Sequence, residues 1–167
     1  MKNFHGHYSV IDIIKDPFAF TYSEISHILG EHDAKALYSF LYRNTSHKKT
    51  HTIWAKGIVK DTDTKKYLYE LTDNTCIETV CIKRKTGTTA CVSTQAGCPV
   101  QCRFCESGKN GLVRNLTAAE IVQQIIFLEE PVNRIAFMGI GEPLYNYNSL
   151  IQAICFSKIN WKQQGLK

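Results

Sequence analysis

The sequence predicts an α/β chain, and three observations carry that prediction. From Thr88 onward, strand-like and helix-like stretches alternate as strand–loop–helix–strand–loop–helix, the βα unit of a parallel sheet. Before it, residues 52–83 carry apolar side chains at a period near two, the mark of short strands. The first part of the chain shows helical spacing instead. The expected organisation is therefore a helical region over 1–48, a small β region over 49–86 and an α/β region over 87–167.

Each element has a local reason. Ser23 to Leu29 is a short amphipathic helix, and Asp33 opens a stronger one with Ala36, Leu37, Phe40 and Leu41 on one face. Arg43 to His51 is polar and reads as a linker. Ile53–Val59, Lys66–Leu71 and Cys76–Lys83 form a three-strand meander, with Asp61-Thr62-Asp63 and Thr72-Asp73-Asn74 as turns. Thr88–Ser93 is rich in β-formers, and a Gly/Cys-rich loop follows from Gln95 to Arg114. Thr117-Ala118-Ala119-Glu120 is a capping box, opening a helix that puts Ile121, Val122, Ile125 and Leu128 on one face and that Pro131 closes. Arg134–Met138 is the next strand. The turn Gly139-Ile140-Gly141-Glu142-Pro143 leads from it into a helix near Ser149–Phe156.

Composition narrows the class. Apolar residues make up 44% of the 167 residues and charged residues 21%, ordinary for a globular chain and unlike a disordered or fibrous one. The net charge of +5 is compatible with an RNA partner without establishing one. The longest apolar run, Ile125–Leu128, is far below the roughly 20 residues of a membrane helix, and the N-terminus lacks an apolar signal core. A cytoplasmic protein with no membrane partner is expected.

Seven cysteines stand at 76, 81, 91, 98, 102, 105 and 155. An odd count without a signal segment does not describe a secreted disulfide scaffold, so clustered thiols point to metal or catalysis. Cys98, Cys102 and Cys105 place three thiolates within eight residues on a loop leaving a strand. Two centres suit them. A structural zinc site needs a fourth ligand, which Cys91 could supply. A four-iron cluster held by three cysteines leaves one iron open to another ligand. Cys76, Cys81 and Cys155 fall in strand or helix patterns and are expected in the core, while Lys83-Arg84-Lys85 and Lys48-Lys49 are short charge runs able to touch phosphate.

Cys98-Pro-Val-Gln-Cys102-Arg-Phe104-Cys105 resembles the CxxxCxΦC signature of the radical S-adenosylmethionine (SAM) enzymes. The flanking Cys91-Val-Ser-Thr-Gln-Ala-Gly-Cys98, Arg114-Asn115-Leu116-Thr117 and Phe137-Met-Gly-Ile-Gly-Glu142-Pro143 are similar to one branch of them, the methyltransferases that act on carbon 2 of adenine in ribosomal RNA and some transfer RNAs. A relative that methylates carbon 8 is similar over the same stretch. The resemblance implies the beginning of a (β/α)6 partial barrel, a [4Fe-4S] cluster on Cys98, Cys102 and Cys105, and SAM beside Gly141 and Glu142. It also implies Glu78 as proton acceptor and Cys91 as the cysteine that resolves an enzyme–RNA adduct through a disulfide bond. Ribosomal RNA, transfer RNA and an electron donor such as flavodoxin would be the partners.

The 80 residues from Thr88 to Lys167 hold two βα units of about 30 residues or more each, so the resemblance is to the N-terminal part of such an enzyme. Cys155 does not match the family's methyl-carrying cysteine. A complementary C-terminal chain would then be a further partner. From another class, the competing reading is a metal- or cluster-binding RNA module without catalysis.

Overall fold

A computed structural model describes residues 22–35 and 52–163, with side chains described as far as residue 155. The expected helix face at Ala36–Leu41, the linker, and Lys48-Lys49 lie outside the described residues. The early amphipathic helix is present as α1 (Tyr22–Leu29), which buries Ile25.

The period-two region forms β1 (Ile53–Lys60), β2 (Thr64–Leu71) and β3 (Cys76–Arg84), joined as an antiparallel meander. The turns work as their sequences imply. Asp61 Oδ1 accepts from the Thr62 N–H at 2.7 Å, and Asp73 Oδ1 accepts from the Thr75 N–H at 3.0 Å. Asn74 takes a positive φ of 65°, a conformation its short polar side chain tolerates.

The meander does not stop there. β4 (Gly87–Cys91) pairs antiparallel with β3, and β7 (Arg134–Ala136) pairs parallel with β4. One sheet of order β1-β2-β3-β4-β7 therefore runs from the small β region into the βα region, across the turn at residues 85–86. The parallel pair needs a crossover, and α2 (Ala118–Ile126) supplies it. Its capping box is complete: Glu120 N–H donates to Thr117 Oγ1 at 3.2 Å, and Thr117 N–H donates to Glu120 Oε2 at 2.8 Å.

α2 ends at Ile126, short of Pro131, which corrects the expected boundary. The stretch beyond it is drawn to the sheet by charge. Lys65 Nζ lies 2.5 Å from Glu130 and 3.2 Å from Glu129, and Lys60 Nζ lies 3.6 Å from Glu129.

The core lies between the sheet and α2. Tyr67, Tyr69, Leu71, Ile77, Cys81, Ala90 and Val92 come from the sheet side, and Ala119, Ile121 and Val122 from the helix. Truncating a residue such as Ile77 to Ala should cost about 2–5 kcal/mol. α3 (Tyr147–Gln163) packs against α2 and begins earlier than its sequence pattern suggested, directly after a 3₁₀ turn over Pro143–Asn146. Of the three cysteines expected in the core only Cys81 is there; Cys76, on the first residue of β3, and Cys155, on α3, are exposed. Both patterns marked a strand and a helix correctly but not which side faces out.

Candidate functional site

Everything chemically notable gathers at the end of the sheet where β4 and β7 finish. Alternation decides which side chains face the same way. In β3, Ile77, Thr79 and Cys81 are buried on the α2 face, where Thr79 Oγ1 donates to Gln124 Oε1 at 2.8 Å. Glu78 and Val80 therefore point to the opposite face. Cys91 pairs with Val80 across the β3–β4 ladder, and Ala90 pairs with buried Cys81, so Cys91 shares the face of Glu78 and Val80. Glu78 is the diagonal neighbour of Cys91, a spacing of about 7–8 Å between backbones.

Glu78 and Cys91 are both half-buried. The Glu78 carboxylate meets Lys66 Nζ at 2.8 Å, from the diagonal position on β2, which itself faces Val80. Burial pushes the Cys91 thiol up from its ordinary value, so at neutral pH it stands protonated.

The chain beyond β4 holds the three remaining thiols of the motif. What sequence reading took as one loop from Gln95 to Arg114 is closed at its base by a two-stranded ribbon, β5 (Gln95–Gly97) with β6 (Leu112–Asn115). The Cys98 N–H donates to the Gly111 carbonyl at 3.0 Å, just inside that base. Within the loop the Cys105 N–H donates to the Cys102 carbonyl at 3.0 Å. Cys98, Cys102 and Cys105 are all half-buried and free, and Phe104, between the last two, is 93% exposed. Among the described residues no three His, Cys, Asp or Glu side chains converge as a ready metal cage. The donor set nevertheless fits an iron–sulfur cluster: three soft thiols on one short loop tied at its base. No disulfide joins any of the seven cysteines.

Arg114 of β6 secures that base to the rest of the molecule. Its guanidinium grips Glu120 with two bonds of 2.8 Å, and its Nε reaches Asp73 at 2.5 Å. Glu120 is almost wholly buried, so the helix cap and the loop stem depend on one charged pair. Arg114 holds the Asp73 carboxyl well below the usual range.

The second loop, after β7, carries Gly141 and Glu142. It runs hard against the segment leaving β4. The Val92 carbonyl accepts from Gly139 N–H at 3.1 Å, and the Ile140 carbonyl accepts from Thr94 N–H at 2.9 Å. Gly141 has φ +106°, and a Cβ there would lie 2.5 Å from the Gln95 Cβ. The glycine is thus required by the turn and by its protein neighbour. Glu142 Oε1 accepts from the Leu144 N–H at 3.3 Å and so caps the following 3₁₀ turn.

Several residues that build this arrangement escaped sequence reading. Ser93 Oγ donates to the Glu78 carbonyl at 2.5 Å and accepts from Ile140 N–H at 2.9 Å. Gln124 Oε1 accepts from Ser93 N–H at 2.9 Å. Asn146 Nδ2 donates to the Thr94 and Leu116 carbonyls at 2.8 and 2.7 Å. The available signal was Ser93-Thr94-Gln95, three polar residues between Val92 and Ala96, all buried. Lys83, Arg84 and Lys85 are exposed at the β3–β4 turn, at the opposite end of the sheet from the cysteine loop, and so lie away from this site.

Comparison with known proteins agrees with the geometry. Residues 92–165 match the Radical SAM superfamily. A "Probable dual-specificity RNA methyltransferase RlmN" of Pseudothermotoga lettingae is 38% identical over 149 residues, 87% of this chain and 42% of that protein. A protein of the same name from Thermotoga maritima is 36% identical over 162 residues, 93% of this chain and 44% of its own length. The crystal structure of a radical SAM methyltransferase from Sphaerobacter thermophilus superposes with a TM-score of 0.74 at 27% identity, covering 84% of this chain and 51% of that one. The chain spans less than half the length of these two curated relatives. Among the described residues no helix is long and apolar enough to cross a membrane. With a thiol-bearing loop after the first parallel strand and a glycine loop after the second, the chain resembles the radical SAM superfamily over residues 92–165 and, over most of its own length, the proteins named RlmN.

Proposed function

We propose that this chain supplies the cluster-binding and proton-accepting part of an enzyme that methylates carbon 2 of adenine in ribosomal RNA and in some transfer RNAs. The observation that carries this reading is the placement of Glu78 and Cys91 on one sheet face, at the end where the cysteine and glycine loops emerge. Cys98, Cys102 and Cys105 would hold a [4Fe-4S] cluster, and the Gly141–Glu142 segment would lie along SAM. Together these groups, when bound, supply a 5′-deoxyadenosyl radical.

The chain's own residues do the rest. The Glu78 carboxylate, held in place by Lys66, accepts the proton that adenine must lose to regain aromaticity. Cys91 releases the RNA by attacking the sulfur of a second cysteine, supplied by the C-terminal portion, that holds the RNA through a carbon–sulfur bond. The S–S bond forms as that C–S bond breaks, and its electron pair leaves with the RNA. The Cys91 thiol is protonated at neutral pH, so it must give up a proton before that exchange. An electron donor such as flavodoxin would reduce the centre, and a C-terminal portion, in the same or another chain, would complete the barrel.

The test joins this chain to the C-terminal half of one of the relatives above and supplies SAM, reductant and unmodified ribosomal RNA under argon. The reading predicts 2-methyladenosine by mass spectrometry. Glu78→Gln should stall the reaction, and Cys91→Ala should trap an RNA adduct that survives denaturing gel electrophoresis while iron content holds. Methylation at carbon 8 would move the assignment to the other branch. RNA binding with no SAM cleavage would overturn catalysis altogether.

A further inference from the structure

Gln95 is fully buried, yet every polar atom of its side chain is engaged. Its Nε2 donates to Asn115 Oδ1 at 2.7 Å, and its Oε1 accepts from the Glu142 N–H at 2.8 Å. Its backbone N–H reaches the Ile140 carbonyl at 3.2 Å, and its Cβ occupies the space that Gly141 leaves by lacking one. The position of these partners in the chain gives the arrangement its meaning. Gln95 is the first residue of β5 and Asn115 the last of β6, so they are the two stems of the cysteine loop. Glu142 belongs to the glycine loop. One side chain therefore spans both stems of one loop and the backbone of the other.

An apolar side chain of similar shape would fill the same volume without the desolvation that a buried amide costs. An amide at this position therefore does more than pack: it fixes directions as well as distances. We propose that Gln95 is a positioning residue that locks the cysteine loop and the glycine loop in the relative placement that a single ligand contacting both requires. This rests on the reading above, in which that ligand is SAM, lying along Gly141–Glu142 and reaching the iron that Cys98, Cys102 and Cys105 leave open. Gln95 acts through the Glu142 peptide and Asn115, and touches neither cofactor itself.

The test compares Gln95→Leu and Gln95→Glu with the unaltered chain after anaerobic reconstitution. Three quantities are read: iron content, the electron paramagnetic resonance spectrum of the reduced cluster with and without SAM, and the SAM dissociation constant by equilibrium dialysis. Gln95→Leu should keep the iron of the unaltered chain, lose the SAM-induced spectral change and weaken SAM binding about tenfold, the scale of one buried hydrogen bond. Gln95→Glu keeps an acceptor for the Glu142 N–H but loses the donor to Asn115 Oδ1, so it should recover part of the affinity that Gln95→Leu loses, a difference that two side chains merely filling the same volume would not produce. A Gln95→Leu chain with unaltered affinity and spectral response overturns the proposal. Loss of iron in that variant also overturns it, since the residue would then serve assembly of the cysteine loop. If the unaltered chain takes up iron but never responds to SAM, the functional reading fails and the role of Gln95 falls with it.

Discussion

The two loops at the head of the sheet are built by different means. The glycine loop, residues 139–146, is fastened along its length: Val92, Ser93, Thr94 and Gln95 each bond to it, and Asn146 ties its far end to the Leu116 carbonyl. The cysteine loop, residues 98–111, is fastened mainly at its base, by the β5–β6 ribbon and the Arg114–Glu120 pair. Between these stems its three thiols do not converge. The contrast is between a loop that the polypeptide fastens throughout and one that it fastens mainly at the stems. Where metal binding and local ordering are coupled, the binding energy is spent partly on ordering the loop.

The largest expected effect separates the loops directly. Anaerobic loading with iron and sulfide should slow amide exchange in residues 98–111 by about tenfold or more, as a loop held mainly at its base becomes held throughout. Residues 139–146 should change little. Equal protection of both segments would show that the glycine loop is also ligand-dependent, and would break the comparison.

Next in size is the clamp at the loop base. Arg114→Leu leaves the Glu120 carboxylate buried and unpaired, which should cost about 3–5 kcal/mol in urea unfolding. Glu120→Gln should cost less, because the amide oxygen still accepts from the Thr117 N–H and Arg114 keeps Asp73 as its ionic partner. A negligible loss in Arg114→Leu would show that the base of the loop is held by the ribbon alone.

A smaller effect comes from the core beneath. Burial pushes the Cys81 thiol up to about 11 from an ordinary value of 9.0. The folded chain therefore keeps a proton that the unfolded chain releases, and stability is complete below pH 9 and lost as pH rises toward 11. The loss should amount to about 2–3 kcal/mol. Cys81→Ala, measured by thermal melting across that window, should flatten the alkaline decline, and an unchanged decline would remove Cys81 as its cause.

The smallest effect belongs to Asp73. Its carboxyl is held low by Arg114, so its support is present above the ordinary carboxylate range, near pH 4, and fades as pH falls below it. Because Asp73 is 41% exposed, solvent screens the pair, and Asp73→Asn should flatten the acid limb of a melting series only slightly. A change as large as that of Arg114→Leu would show that the turn, rather than Glu120, carries the clamp.

How much of this was written in the sequence follows the same division. Local signals were legible: the Thr117–Glu120 capping box, the Asp73-Asn74 turn and the β3 alternation appear as their residues imply. The thiol spacing and the glycine turn marked both loops. What escaped depends on partners distant in sequence. That β4 continues the meander rests on pairing with β3, and nothing local distinguishes that from a fresh sheet. The exposure of Cys76 and Cys155 depends on which flank is covered, and periodicity fixes faces only relative to one another. Gln95 and Ser93 owe their roles to residues 139–142, about 45 positions away, so their polarity reads as loop chemistry until the strands are laid side by side.

The central claim is that Cys98, Cys102 and Cys105 together hold an iron–sulfur cluster, and the most direct measurement is the iron, sulfide and zinc content after anaerobic reconstitution. About four irons and four sulfides per chain are predicted, abolished by alanine at any one of the three positions and unaffected by Cys81→Ala or Cys155→Ala. One equivalent of zinc without sulfide, or iron that survives loss of Cys102, would contradict the account.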